Sequence, residues 1–201
     1  MSRTHSHADQ LIPPHLIGLT RVTHEQFEEF CRDYPDLRLE LTSSGELIVM
    51  PPTGFLTGKR CLNLTGEFAA WLKKYRIGVG FGPSVAFTLP NGAIRSPDVS
   101  WMTREKHDTV SRDEQDRFAH ICPDFVVELR SSSDRLPPLL NKMEEYMENG
   151  ATLGWLIDPK KRRVYVYRAG EELVVLEDPA TVSGDPFLPG FELEMEEIWS
   201  R

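Results

Sequence analysis

Residues 123–159 read PDFVVELRSSSDRLPPLLNKMEEYMENGATLGWLIDP. Asp124 to Arg130 is rich in β-branched and aromatic residues and predicts a strand. Ser131 to Arg135 break that run, and Pro137 and Pro138 suit the first turn of a helix. Leu139, Leu140, Met143, Tyr146 and Met147 then recur at helical spacing. Asn149-Gly150 is a helix stop, and Leu153 to Ile157 is a second apolar strand. Strand, helix, strand is a βαβ unit, which calls for a partly parallel sheet covered by helices. Within it, Glu128 interrupts an apolar strand, sharing one face with Val126 and Arg130 by period-two alternation. A carboxylate there costs several kcal/mol unless a metal, a cation or hydrogen bonds compensate it.

Upstream of this unit, Asn91-Gly92 is a strong hairpin signal. It leads into Ile94 to Trp101, a strand interrupted by Pro97 and therefore expected near an edge or an end. Asp98 follows Ser96-Pro97 there. Were Asp98 and Glu128 to meet, carboxylates about 4 Å apart would repel by roughly 4 kcal/mol at an effective dielectric near 20. One would be protonated, or a divalent cation would sit between them. Oxygen ligands with open positions suit Mg²⁺ or Mn²⁺.

Nearer the start, Thr23 and Gln26 form a capping box for a helix carrying Phe27 and Phe30. Leu37, Leu39 and Leu41 alternate with Arg38, Glu40 and Thr42, and a Ser43-Ser44-Gly45 turn returns the chain through Glu46 to Met50 as a hairpin. Gly54 to Arg60 has the wrong spacing, and Arg60 in place of Ser or Thr, for a phosphate-binding loop. Leu62 to Tyr75 predicts a long helix whose Leu64, Phe68, Trp71 and Leu72 face inward. Its ends carry Lys59, Arg60, Lys73, Lys74 and Arg76, either solvated or in contact with phosphates. Downstream of the central unit, Val164 to Tyr167 is expected to pair with Glu172 to Leu176.

The 201 residues suit one domain, 20–201, preceded by a flexible arm, 1–19, that holds His5, His7 and His15. No run of eighteen apolar residues or leader pattern occurs, which favours a cytoplasmic protein with no membrane partner. Three widely spaced cysteines fit neither a zinc site nor a disulfide framework. The net charge of −8 lies in the C-terminal segment; residues 1–169 carry 22 basic and 22 acidic groups, so a basic face for DNA is not excluded.

RSPDVSWM, PDFVVELRSSSD, KMEEY, NGATLGWLIDP and RRVYVYR occur in the order of the Uma family of restriction-endonuclease-like proteins, which this chain resembles over roughly residues 20–200. LELTSSGELIVMPPTG and LPGFELEMEEIW fit the same pattern. The resemblance implies an α/β restriction-endonuclease-like fold of the PD-(D/E)XK superfamily: a mixed central sheet flanked by helices, with hairpins near both chain ends. It implies metal-dependent hydrolysis of phosphodiester bonds in DNA, with Asp98 and Glu128 holding Mg²⁺ or Mn²⁺ and Glu40 as a further ligand or orienting group. Arg130 stands where the superfamily has a catalytic lysine, and arginine cannot shuttle a proton. Lys142, matching the family's helix lysine, is therefore assigned the catalytic cation's role, with Arg130 as a clamp on the phosphate. A homodimer is expected because cutting both strands of a duplex asks for two sites. The alternative is an inactive nuclease fold that binds DNA or protein.

Overall fold

A computed structural model describes residues 21–200; the expected arm, 1–19, lies outside them. The described residues build two larger sheets and a small two-stranded one. In the first, β1 (Arg38–Leu41) pairs with β2 (Leu47–Met50) as the expected hairpin, and β3 (Val79–Phe81) belongs to the second sheet. The hairpin β4 (Phe87–Thr88) and β5 (Ile94–Arg95) turns at Asn91-Gly92 and joins β1 through β5, giving the order β2-β1-β5-β4. Helix α1 (His24–Asp33) carries the capping box of Thr23 and Gln26 and packs Phe27 on this sheet against Leu39, Leu41 and Ile94.

The second sheet is the core. Its order is β10-β9-β8-β7-β6-β3, with β6 (Val99–Met102), β7 (Phe125–Leu129), β8 (Leu153–Asp158), β9 (Arg163–Arg168) and β10 (Val174–Glu177). β7 and β8 run parallel and the remaining pairs antiparallel. Period-two alternation divides β7 between two apolar layers. Phe125, Val127 and Leu129 face α2 (Phe55–Tyr75), whose Leu64, Phe68 and Trp71 are buried there with Trp155 and Phe191. Val126 faces α5 (Leu136–Glu148), whose Met143 and Tyr146 are buried against Leu156, Tyr165 and Tyr167. Short helices α3 (Arg104–His107) and α4 (Arg112–Gln115) fill the connection from β6 to β7. The chain closes with a hairpin, β11 (Thr181–Ser183) and β12 (Glu192–Glu194), and α6 (Glu196–Trp199).

Pro97 marks a strand end and not a sheet edge: β6 is interior, and Ser96-Pro97-Asp98 is where the chain leaves the first sheet and enters the second. A residue without an N–H fits such a break in the ladder. Helix α2 begins at Phe55, well before Leu62, although Gly58 within it disfavours helix. Tertiary bonds hold that first stretch. Lys59 Nζ donates to Ser200 Oγ at 2.8 Å and pairs with Glu197, and Arg60 donates to the Ser200 carbonyl at 2.9 Å. These two cations thus anchor the C-terminal segment. The Asn91-Gly92 turn is tied to other elements: Asn91 N–H donates to Asn149 Oδ1 and His24 Nε2 to the Gly92 carbonyl.

Gly154 of β8 leaves room beneath α5 for the end of the Met143 side chain: a Cβ there would stand 2.6 Å from Met143 Cε. No helix among the described residues is long and apolar enough to cross a membrane.

Candidate active site

Where the two sheets diverge, a cleft of about 590 Å³ opens between β1, β2, the start of α2, the end of β7 and α5. Its floor lies where the β6–β7 ladder ends. β6 pairs antiparallel with β7 from Val99↔Val127 onward, and Asp98 stands immediately before that first pair. Asp98 N–H donates to the Val127 carbonyl at 3.0 Å, and Asp98 Oδ2 accepts the Leu129 N–H at 2.8 Å. These two bonds hold Asp98 against the end of β7 that carries Glu128. Asp98 and Glu128, thirty residues apart in the chain, thus line the same cleft, with Asp98 near enough to act on the Glu128 carboxyl.

Lys142 reaches this pair from α5. Its Nζ lies 2.7 Å from Glu128 Oε1 and 2.7 Å from Glu40 Oε1. Glu40 comes from β1 of the other sheet and is only 3% exposed. It also accepts the Ser96 N–H at 2.9 Å and an Arg95 N–H at 3.2 Å. Arg95 in turn pairs through Nε with Glu145, one helical turn after Lys142. Tyr146 O–H donates to Glu128 Oε1 at 3.1 Å. Lys142, Glu145 and Tyr146 are spaced i, i+3, i+4 and so form one helix face. That face ties the sheets together through buried charges.

Arg130 is not brought to this group. Its Nη1 donates to Asp158 Oδ2 at 2.6 Å, and Nε and Nη2 donate to the Asp134 carbonyl. It spans β7, β8 and the loop after β7, where Ser131 N–H also binds Asp134 Oδ2 at 2.7 Å. The cation beside the carboxylates is Lys142. Sequence reasoning missed Arg95, Glu145 and Tyr146 as parts of the network. The available signal was Arg95 directly before Ser-Pro-Asp, and Glu145 and Tyr146 one turn beyond Lys142.

The electrostatics follow the packing. Burial, with Asp98 and Glu40 nearby, outweighs Lys142 and pushes the Glu128 carboxyl up to about 7. Burial likewise raises Asp98, despite the N–H of Leu129. Glu40 is also buried, but Lys142 and Arg95 reverse that effect and hold it below the ordinary carboxylate range. Lys142, between two carboxylates, is held protonated, its pKa raised although burial opposes the charge. Burial, then Asp98 and Glu128, push the cleft-lining Cys61 thiol up to about 12, so it is no nucleophile near neutral pH.

The donor set fits a hard divalent cation. Among the described residues, Asp98 Oδ1 and Glu128 Oε2 have no protein hydrogen-bond partner, while their other oxygens are held by Leu129, Lys142 and Tyr146. No group of three or more His, Cys, Asp or Glu among the described residues is arranged to hold a metal. Asp98 and Glu128 thus offer one free carboxylate oxygen each among the described residues. Mg²⁺ characteristically takes one or two carboxylates and fills its remaining positions with water and phosphate oxygens.

A six-stranded mixed sheet between helices, with an Asp and a Glu on adjacent strands at a cleft, defines the restriction-endonuclease-like class. The family model described as "Putative restriction endonuclease", Uma2, matches residues 24–196, and the chain belongs to that family. The crystal structure of a "putative nuclease belonging to DUF820" from Anabaena variabilis is similar, with a TM-score of 0.67 and 22% identity over 80% of this chain and 89% of that one. At that identity the likeness carries the fold. No curated protein matches the chain.

Proposed function

We propose that this chain is a divalent-metal-dependent endonuclease that hydrolyses phosphodiester bonds in DNA. The observation that carries this reading is that Asp98 and Glu128 stand together on the cleft floor, each with one oxygen unengaged among the described residues. Asp98 and Glu128 would hold Mg²⁺ or Mn²⁺. Such an ion polarises a phosphoryl oxygen and lowers the pKa of water. Tyr146 and Lys142 engage one oxygen of Glu128 and so orient the other. Lys142 supplies a fixed positive charge where negative charge develops on the phosphoryl group. Glu40, itself fixed by Arg95 and the Ser96 N–H, positions that ammonium. Arg130 belongs to the scaffold of the loop after β7.

The test combines cleavage with metal binding. Purified protein with Mg²⁺ should cut DNA, and Asp98→Asn or Glu128→Gln should abolish cutting while the fold is kept. The same substitutions should remove the rise in melting temperature that Mn²⁺ produces in the parent. Parent protein that cuts no DNA with either metal, or variants that cut like the parent, would overturn the reading in favour of a non-catalytic binding module.

A further inference from the structure

The cleft has a second built feature beside the carboxylates. Gly54, the N-cap of α2, supplies no side-chain cap, and the first turn of this 21-residue helix holds no acidic residue. The N–H groups of Gly54, Phe55, Leu56 and Thr57 make no hydrogen bond within the described residues. Such orphan donors carry the positive end of the helix dipole and favour an anion. Thr57 gives a separate indication. The residue is only 8% exposed, and its hydroxyl, without a partner among the described residues, is the part left open to the cleft.

The surrounding charge says what these donors take. The cleft is lined by six carboxylates and three cations, so a polyanion finds few side chains there to welcome it. Lys142 and Arg95 are already committed to Glu40, Glu128 and Glu145, and Arg38 gives one N–H to the Pro83 carbonyl. Beside Arg38, the neutral donors at the start of α2 are the favourable contact for an anion. The other helix whose first turn lines the cleft, α5, has prolines there, which carry no N–H. Phe55, next to Gly54 at the lip, is 91% exposed. An aromatic ring fully in water, one residue from a set of anion donors, is a surface on which a base can stack.

We propose that the first turn of α2 is a phosphate subsite, and that Phe55 carries the adjoining unpaired base, so that the cleft takes a single nucleic-acid strand. The proposal rests on the nuclease reading of the cleft and adds to it the form of the substrate. The N–H groups of Phe55 and Leu56 and the Thr57 hydroxyl donate to a backbone phosphate oxygen. The ring of Phe55 then holds the neighbouring base out of a duplex stack. Because every base has a π-face, this contact is tolerant of sequence.

The experiment measures binding separately from cutting. A short labelled deoxyoligonucleotide, single-stranded or annealed to its complement, is titrated by fluorescence anisotropy in Mg²⁺, with Glu128→Gln as the uncut parent. The single strand should bind more tightly than the duplex. Phe55→Ala should weaken it about tenfold, the scale of one lost base stack, while Phe55→Trp retains it. Thr57→Val should also weaken it about tenfold, the scale of one lost hydrogen bond to a charged group, while Thr57→Ser retains it. Equal or tighter duplex binding, or affinities for Phe55→Ala and Thr57→Val within about twofold of the parent, would overturn the proposal. The two readings fail separately. Wild-type protein that cuts no DNA but shows these affinities keeps the subsite and loses the nuclease. Active protein whose Phe55 and Thr57 variants bind as the parent does keeps the nuclease and loses the subsite.

Discussion

Replacing Lys142 with methionine removes the ammonium shared at 2.7 Å by Glu40 and Glu128 while keeping most of the side chain's length. Both carboxylates are buried, at 3% and 6% exposure, so neither can recover its loss from water. Breaking a buried pair by removing one partner typically costs about 3–5 kcal/mol, because an uncompensated charge remains. Two features place the expected cost near the lower figure. Glu40 keeps Arg95 and the Ser96 N–H, and Glu128, already raised to about 7, can take up a proton. In chelator at pH 8, Lys142→Met should therefore lower the unfolding free energy by about 3 kcal/mol. The same substitution in a Glu40→Gln, Glu128→Gln background removes a buried cation that has lost both partners, and should be neutral or stabilising. Urea titrations of the four proteins, followed by tryptophan fluorescence, close the cycle. A cost below about 1 kcal/mol in the parent, or equal costs in the two backgrounds, would show that the ammonium stands in water and that Lys142 is not the cation of the site.

Stability should also depend on pH with a definite sign. Glu128 is raised from 4.5 to about 7 by burial, with Lys142, Asp98, Glu40 and Tyr146 facing it. The native state thus holds a proton that the unfolded chain has released. That contribution is complete below the unfolded value and is lost as pH rises through about 7, and Asp98, also raised, acts in the same direction. Glu40 is lowered and acts oppositely, but only as pH falls below the ordinary carboxylate range. Metal-free protein should accordingly lose up to about 3 kcal/mol between pH 5 and pH 8, and Glu128→Gln should flatten the profile. A stability that climbs over this interval would contradict the assigned environment. Arg130→Ala strips the cation from Asp158, which is 0% exposed and keeps only the Lys160 and Lys161 N–H groups. It should cost about 3 kcal/mol in denaturant unfolding and change the cleavage rate, measured well below the melting temperature, by less than about tenfold. Loss of cutting with unchanged stability would return Arg130 to the site. A homodimer is expected from light scattering at micromolar protein, since β10 is an edge strand on which Val174 and Val175 are each 41% exposed. A monomeric mass would exclude it.

Much of the framework was legible from periodicity and turn chemistry. The βαβ unit of β7, α5 and β8 is local: a β-branched run, two prolines suited to a first helical turn, and Asn149-Gly150 as a stop each act within a few residues. The hairpins at Ser43-Gly45 and Asn91-Gly92 were readable for the same reason. Glu128 stood out because burying a carboxylate in an apolar strand carries a known cost, Asp98 was noted after Ser96-Pro97, and the family resemblance gave both a metal and added Glu40 and Lys142. The start of α2 was not legible, because Gly58 argues against helix locally and the bonds of Lys59 and Arg60 to Ser200 come from the far end of the chain.

Within the site, sequence determined which side chains were out of place, and only the tertiary structure decided which of them meet. Asp98 joins Glu128 because Pro97 ends one ladder just before β6 begins, and bonds to the Val127 carbonyl and the Leu129 N–H then hold Asp98 against β7. Lys142 and Arg130 were both candidates for one task, both cationic and both close to Glu128 in sequence. Burial of Met143 and Tyr146 seats α5 on the sheet, and from there Lys142 reaches Glu128 and Glu40. Asp158, on the neighbouring strand, draws the Arg130 guanidinium to itself. Such pairings are fixed by long-range packing and by the cost of leaving a buried charge unmatched, and neither acts along the chain.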